Sequence, residues 1–218
     1  MAVIVSAFDE EDRLAETLSA LRDAFPTACV LVADDHSRDA TPRLAEEGGA
    51  ELVRAPRRLG KGGATTLAAE RLLPEPPTVV LCDGDLGVSA AELPKLVEAL
   101  DRGEGDLAVG AFARRVGGGF GLALGFAGWA IRRRTGLELD APISGQRALA
   151  PHVLPTVLPF AHGFGMEIGM TVDGHRAGFR LVEVELELEH RATGRTAAGF
   201  LHRFRQLLDF ARVYAARR

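Results

Sequence analysis

Short runs of apolar residues recur through the first half of the chain, and segments with helical spacing separate them. The runs cover residues 3–7, 29–34, 51–54, 79–82 and 106–111. Runs of this length predict buried strands, and their alternation with helical segments predicts a mostly parallel sheet flanked by helices. The predicted fold class is therefore α/β.

Three amphipathic helices are predicted between these strands. The first ends before Pro26, and the second covers about residues 62–73. The third covers about residues 90–100, with Ser89 as its N-cap. Each of these helices would place its apolar face on the sheet.

The regular alternation ends after residue 112. The pattern then predicts a loop over 138–146, a helix near 164–177 and a strand near 180–188. Residues 199–218 place apolar side chains on one stripe and arginines opposite, which predicts a C-terminal helix. An apolar stripe of this kind also fits the pairing of two copies, so a homodimer is a candidate assembly.

Composition and charge narrow the class of protein. The 218 residues are 47% hydrophobic, which is enough for one substantial core. The formal charge of −4 and the pI near 5.9 argue against a nucleic-acid partner, because such partners favour a basic face. Cys29 and Cys82 lie in apolar runs and are expected to be buried, reduced thiols.

The beginning of the chain carries no sign of a secretion signal, since it enters a strand pattern directly. The longest uncharged stretch, 116–131, is shorter than the roughly 20 residues that cross a bilayer. We therefore expect a cytoplasmic protein. The apolar stretch and the arginine-rich tail also fit contact with a membrane surface, which is the alternative location.

Two acids follow the strand predicted over 79–82. Asp83 and Asp85 stand one residue apart at its carboxyl end, where open α/β sheets bind ligands. Carboxylate oxygens suit Mg²⁺ or Mn²⁺, and such a cation could neutralise a diphosphate. For such a pair taken alone, a polar turn after a strand is an equally good interpretation.

Two further segments could bind a nucleotide. Asp34 and Asp35 follow the second strand, where a carboxylate can accept hydrogen bonds from a base or a ribose, or simply precede a helix. Gly60 and Lys61 open the second helix, where free amides and a lysine can hold phosphate. The spacing differs from that of a P-loop, and no dinucleotide-binding glycine motif follows the first strand.

Together, these segments resemble the GT-A glycosyltransferases of the large family 2 type. Residues 6–11, 34–39, 60–62 and 83–85 match four family motifs in order and in spacing. The resemblance implies the GT-A fold and transfer of a sugar from a nucleotide-diphospho-sugar, with a UDP-sugar as the expected donor. It implies the following donor-binding residues: Ala7, Phe8, Glu10, Asp34, Asp35, Gly60, Lys61, Asp83 and Gly84.

The second half is similar to the glucosyl-3-phosphoglycerate synthases. Residues 163–173 match a helix motif of that family, and 189–191 match a segment whose histidine completes the metal site. The resemblance implies UDP-glucose as donor, Mg²⁺ or Mn²⁺ held by the two acids of the D-x-D motif and His190, and catalytic roles for these acids and Glu167. For Glu167, a structural ion pair is the alternative interpretation.

The same resemblance implies a small phosphorylated acceptor such as 3-phosphoglycerate. The implied acceptor-binding residues are Gly118, Gly119, Ser144, Gly145, Arg147 and Arg191. In these relatives the loop that corresponds to 116–121 carries an arginine and a threonine, which glycine and phenylalanine replace here. The chain is also similar to dolichyl-phosphate mannose synthases. That second resemblance implies a polyprenyl phosphate acceptor and inversion of configuration, whereas the first implies retention.

We expect a single domain with a nucleotide-sugar-binding half (1–111), an acceptor half (112–198) and a C-terminal helix (199–218). Two alternatives from other classes stay open. The D-x-D acids could serve a haloacid dehalogenase-type phosphatase, although that motif normally lies on the first strand. The other alternative is a nucleotide-binding module without catalytic activity.

Overall fold

The computed structural model describes residues 1–112, 121–188 and 208–217, and seven strands in these parts form one mixed sheet. The strands are β1 (Ala2–Ala7), β2 (Cys29–Asp34), β3 (Glu51–Arg54), β4 (Val79–Asp83), β5 (Leu107–Phe112), β6 (Arg147–Leu149) and β7 (Leu181–Leu186). They run in the order β3-β2-β1-β4-β6-β5-β7. Only β6 is antiparallel to its neighbours among these strands. The sheet confirms the predicted α/β class.

The interior strand β1 is apolar on both of its faces. Residues Ala2 to Val5 are all buried, as the strands of a sheet covered on both faces require. The pairing of β1 with β2 sets Ala7 opposite Asp34, and its pairing with β4 sets Ser6 opposite Asp83. The carboxyl ends of β1, β2 and β4 therefore meet at one end of the sheet.

Helices cover both faces of the sheet. They are α1 (Leu14–Ala24), α2 (Thr41–Glu47), α3 (Lys61–Glu70), α4 (Pro94–Asp101), α5 (Gly121–Thr135), α6 (Leu154–Val157) and α7 (Met166–Arg176). Leu14, Leu18 and Leu21 of α1 join the core on one face, and Ala64 and Ala68 of α3 join the core on the other. This helical spacing of buried residues is the amphipathic pattern that the sequence predicted.

Two helix boundaries differ from the sequence predictions. The helix predicted over 62–73 corresponds to α3, which ends at Glu70. The amides of residues 71–73 bond to carbonyls three residues back and so tighten its last turn. Ser89 is not an N-cap, since it lies inside the 3₁₀ turn Gly87–Glu92 and donates to a carbonyl there. The α-helix begins instead at Pro94, and proline suits a first helical position.

The two cysteines lie in different environments. Cys82 is buried in β4, as predicted, and burial raises the pKa of its thiol above the usual value, with the neighbouring Asp83 acting in the same direction. Cys29 is exposed, so its predicted burial was wrong. It is the first residue of β2, and the burial of that strand begins only at Leu31.

Three elements of the second half, α5, β6 and the four-residue α6, were not predicted. Glycines and arginines interrupt the apolar period of α5, and β6 has only three residues, one of them an arginine. Leu124 and Trp129 lie exposed on α5. None of the helices in the described ranges has both the length and the apolar character needed to cross a bilayer.

The C-terminal segment, residues 208–217, packs beside α5 and α7. Phe210 and Val213 are buried in the same cluster as Ile131 of α5 and Ile168 of α7. Residues 208–216 are helical, which agrees with the predicted C-terminal helix, while the rest of that prediction lies outside the described residues.

Candidate functional site

Predicted site residues lie at the carboxyl ends of three neighbouring strands. Ala7 ends β1, Asp34 ends β2 and Asp83 ends β4, while Lys61 opens α3 beside them. Parallel strands place their carboxyl ends at one end of a sheet, so residues far apart in sequence meet there. This end of the sheet is the candidate active site.

Lys61, Asp83 and Glu167, which we call the Lys61 cluster, form two salt bridges in this site. Lys61 Nζ lies 2.6 Å from Asp83 Oδ1 and 2.8 Å from Glu167 Oε1. Burial alone would lower the pKa of Lys61, but the two carboxylates outweigh it and raise that pKa above its usual value. Lys61 is therefore positively charged at neutral pH.

Asp83 has a second partner that was not predicted. Gln146 Nε2 donates to Asp83 Oδ2 at 2.9 Å, and Ser144 Oγ donates to Gln146 Oε1 at 3.0 Å. A Cβ at Gly145 would stand 2.5 Å from both Asp83 Oδ2 and Lys61 Nζ, so the close approach requires glycine. The predicted residues Ser144 and Gly145 are thus brought to Asp83, and Gln146 comes with them.

Arg147, a predicted acceptor-binding residue, is enclosed by protein. Its side chain is 1% exposed, and it donates to the Ser144 carbonyl at 3.0 Å and to Thr171 Oγ1 at 2.9 Å. Burial lowers the pKa of Arg147 to about 10, and the nearby Glu167 and Glu183 partly offset this effect. Contact with an acceptor phosphate would require a rearrangement of these bonds.

Asp35 holds the loop that precedes α3. Its carboxylate accepts hydrogen bonds from the amide of Leu59 at 2.6 Å and from the amide of Gly60 at 2.9 Å. Gly60 has a φ of +77°, a conformation that glycine adopts without strain. The contacts of Asp35 in this structure fix the position from which Lys61 enters the site.

Phe8 and Arg58 form part of a cleft beside these loops. The Arg58 guanidinium lies 3.6 Å from the centre of the Phe8 ring, and the cleft of about 260 Å³ is also lined by Asp9, His36 and Arg38. Flat aromatic and guanidinium surfaces can stack on a nucleotide base. The cleft is thus a candidate base-binding region.

The remaining predicted donor-binding and metal-binding residues lie at the ends of the strands. The Ala7 carbonyl accepts the amide of Asp35 at 3.0 Å, and the Gly84 amide donates to the Ser6 carbonyl at 2.9 Å.

Asp34 is buried, and Arg54 Nε lies 3.2 Å from its Oδ2 atom. Glu10 lies beside Gly84, since a Cβ there would stand 3.5 Å from Glu10 Cγ. Arg13, in the loop between β1 and α1, donates from Nε to the backbone carbonyl of Asp85 at 3.4 Å.

Four predicted site residues lie outside the described residues: Gly118, Gly119, His190 and Arg191. Within the described ranges, no three His, Cys, Asp or Glu side chains are grouped closely enough to form a metal site. A site at Asp83 and Asp85 would therefore take further ligands from elsewhere, either from the rest of the chain or from a bound substrate.

The glycosyl transferase family 2 profile matches residues 2–145, which is more than half of the chain. The chain belongs to glycosyl transferase family 2. The match extends over β1 to β4 and both D-x-D acids, and it includes Gly145 beside the Lys61 cluster. The predicted glycosyltransferase class is thereby confirmed, and the phosphatase alternative finds no support.

Two relatives of this family 2 glycosyltransferase have named activities. Undecaprenyl-phosphate mannosyltransferase of Micrococcus luteus is 31% identical over 208 residues, with 88% of this chain and 84% of that protein covered. Glucosyl-3-phosphoglycerate synthase of Mycolicibacterium paratuberculosis is 33% identical over 201 residues, with 79% of this chain and 59% of that protein covered.

Solved structures of similar fold include glucosyl-3-phosphoglycerate synthase of Mycobacterium tuberculosis. Its complex with phosphoglyceric acid has a TM-score of 0.79 and 26% identity, and the match covers 99% of this chain and 78% of that one. Its complex with Mn²⁺ and UDP-glucose has a TM-score of 0.77 and 26% identity, over 98% and 78% of the two chains. These matches confirm the predicted GT-A fold, and the Mn²⁺ complex supports the predicted use of a divalent cation.

Proposed function

We propose that this enzyme transfers glucose from UDP-glucose to a small phosphorylated acceptor such as 3-phosphoglycerate, with Mg²⁺ or Mn²⁺ as cofactor. The observation that carries the proposal is the Lys61 cluster. In it, the Lys61 ammonium forms salt bridges with the carboxylates of Asp83 and Glu167 at the end of the sheet where the strands' carboxyl ends meet. A solved glucosyl-3-phosphoglycerate synthase structure contains Mn²⁺, UDP-glucose and phosphoglyceric acid together. Similarity to that enzyme over nearly the whole chain supports the choice of donor and acceptor.

The residues around Asp83 fit a divalent cation. Its side chain is 33% exposed, and Lys61 and Gln146 each contact one of its oxygens. A carboxylate oxygen has two lone pairs, so each oxygen keeps one for a metal ion. Asp85 and His190 would be the other protein ligands, and the bound cation would neutralise charge on the diphosphate.

Lys61 and Glu167 would act on the reacting groups. Lys61 holds a fixed positive charge at the site, where it would stabilise the charge that develops on the departing diphosphate. Glu167 forms the second salt bridge of the Lys61 ammonium and would face the sugar or the acceptor hydroxyl. The cleft that Phe8 and Arg58 line together with Asp9, His36 and Arg38 would hold the uracil base.

Product analysis by mass spectrometry tests the proposal. The enzyme is incubated with UDP-glucose or GDP-mannose, with or without Mn²⁺, and with either 3-phosphoglycerate or undecaprenyl phosphate. We expect a glucosylated phosphoglycerate only from UDP-glucose with Mn²⁺. Asp83→Asn should reduce its formation by about 100-fold, whereas Asp101→Asn at an exposed position of α4 should not. Product formation that is unaffected by metal removal, or no sugar transfer at all, would contradict the proposal.

A polyprenyl phosphate is the second candidate acceptor. The Micrococcus luteus mannosyltransferase is covered over a larger share of its length than the Mycolicibacterium synthase. On α5, Trp129 is 50% exposed, and it lines a cleft of about 240 Å³ with Arg132 and Arg133. Exposed tryptophan and arginine suit an anionic membrane surface. A mannosylated polyprenyl phosphate as sole product of the same assay would favour this candidate.

A further inference from the structure

We propose that Gln146 is a positioning residue that fixes the orientation of the Asp83 carboxylate for cation binding. The proposal rests on the proposed function, because it presupposes a cation at Asp83. The observation behind it is the pair of hydrogen bonds that runs from Ser144 to Gln146 and from Gln146 to Asp83.

Hydrogen-bond chemistry determines which way the Gln146 amide points. The Asp83 carboxylate can only accept, so the Nε2 group must face it, and Oε1 then faces the Ser144 hydroxyl, which donates. Gln146 is 2% exposed and Ser144 is 4% exposed, so water has little access to the amide and the hydroxyl. Both ends of the amide are satisfied, whereas the opposite orientation would leave the acceptor Oε1 facing the Asp83 carboxylate, which is also an acceptor.

The backbone that carries Gln146 is also held in place. Its carbonyl accepts the amide of Gly110 at 2.8 Å, and Arg147 Nε donates to the Ser144 carbonyl at 3.0 Å. The next residue along the chain, Arg147, begins β6, so the sheet also holds this part of the backbone. Gln146 therefore presents its amide to Asp83 from a fixed point.

Two donors on opposite oxygens restrict the Asp83 carboxylate. Lys61 contacts Oδ1 at 2.6 Å and Gln146 contacts Oδ2 at 2.9 Å. With both contacts the plane of the carboxylate is set, and the free lone pairs have defined directions. Hydrogen-bonding partners behind a metal ligand commonly tune its affinity in this way.

Mn²⁺ binding, measured by electron paramagnetic resonance with UDP present, tests this role. Gln146→Leu keeps the size of the side chain but removes both hydrogen bonds. Thr66→Val is the matched control, because buried Thr66 donates to the Gly62 carbonyl and accepts the Phe160 amide without touching Asp83. We expect Gln146→Leu to weaken Mn²⁺ binding about tenfold and Thr66→Val to change it less than about twofold. Metal-free UDP affinity, measured by calorimetry, should be unchanged in both variants.

The outcomes separate this inference from the proposed function. Equal Mn²⁺ affinity in wild type and Gln146→Leu would overturn the positioning role and leave the proposed function intact. A matching loss of metal-free UDP affinity would also overturn it, since the variant would then have damaged the site as a whole. If wild type showed no Mn²⁺ binding with UDP, both proposals would fall. Ser144→Ala should weaken Mn²⁺ binding in the same direction by a smaller factor.

Discussion

Asp83 has three neighbours of different kinds. Lys61 contacts one carboxylate oxygen, Gln146 donates to the other, and the backbone of Gly145 lies against both the carboxylate and the lysine. The first two restrain the carboxylate through charge and hydrogen bonding. Gly145 contributes only the absence of a side chain, which leaves room for the salt bridge.

Gly145→Ala tests this spatial requirement. The new Cβ would stand 2.5 Å from Asp83 Oδ2 and Lys61 Nζ, and these side-chain ends would swing away from each other. Because the displaced groups are side-chain ends, we expect the fold to persist while sugar transfer falls by about tenfold or more. Gly125→Ala on α5 is the control, since its Cβ would meet no neighbour within 4 Å. Equal transfer rates in the two variants would contradict the role of Gly145.

Among the elements, α7 connects the site to the C-terminal segment. Glu167 lies in the first turn of α7 and contacts Lys61. Near the other end of the helix, the Arg217 guanidinium donates to both oxygens of Asp173, from Nε to Oδ1 at 2.8 Å and from Nη2 to Oδ2. A two-pronged salt bridge of this kind restrains both direction and distance. The C-terminal segment therefore helps to hold the helix that carries Glu167.

Asp173→Asn tests this connection. The substitution keeps the size of the side chain but removes its charge from a partly buried bidentate pair. We expect the free energy of unfolding to fall by about 1 kcal/mol. Glu47→Gln removes a charge from the Arg43 pair, whose side chains are more than half exposed, and should change stability by less than about 0.5 kcal/mol. Chemical denaturation measures both values. Equal losses of unfolding free energy in the two variants would show that the Asp173–Arg217 pair stabilises the fold no more than an exposed surface pair does.

On the scale of the whole molecule, the site depends on strands that are buried in the middle of the sheet. β4 lies between β1 and β6, and it carries Cys82 immediately before Asp83. The thiol of Cys82 is buried, whereas Cys29 is exposed at the start of β2. The two thiols should therefore report on different parts of the unfolding process.

Thiol labelling of the single-cysteine variants Cys29→Ser and Cys82→Ser tests this arrangement. Under native conditions we expect rapid labelling of Cys29 and almost none of Cys82, because burial and the Asp83 charge both raise the pKa of the Cys82 thiol. Cys82 should become reactive only in parallel with global unfolding in denaturant. Fast native labelling of Cys82 would mean that β4 opens locally and that the site is not held by a stable sheet.

Much of the first half could be predicted, because β1, β2 and β4 are mostly apolar runs that end in an acid or a loop. The parallel pairing then brings Asp34 and Asp83 to one end of the sheet without further information. The exposure of Cys29 could not be predicted in this way, since an apolar run does not show where a strand begins to be covered. Likewise, Ser89 precedes a helical pattern and fits an N-cap, but its hydroxyl donates to the Leu86 carbonyl at the start of the 3₁₀ turn.

The second half was less predictable because its order depends on contacts between distant residues. Gln146 and Asp83 are 63 positions apart, and no local pattern connects them. Arg147 is polar in sequence but is buried in β6, where Ser144 and Thr171 satisfy its guanidinium. Periodicity treats such a residue as a surface position, so the three-residue strand could not be recognised.

The central claim is that Asp83 and Asp85 hold a cation that binds the diphosphate of the donor. Calorimetric titration with UDP-glucose, in Mn²⁺ or in EDTA, tests it most directly when wild type is compared with the Asp83→Asn, Asp85→Asn double variant. The account predicts that Mn²⁺ tightens binding to wild type by about tenfold or more and has no effect on the double variant. Equal affinity of wild type in Mn²⁺ and EDTA, or a full Mn²⁺ effect in the double variant, would contradict it.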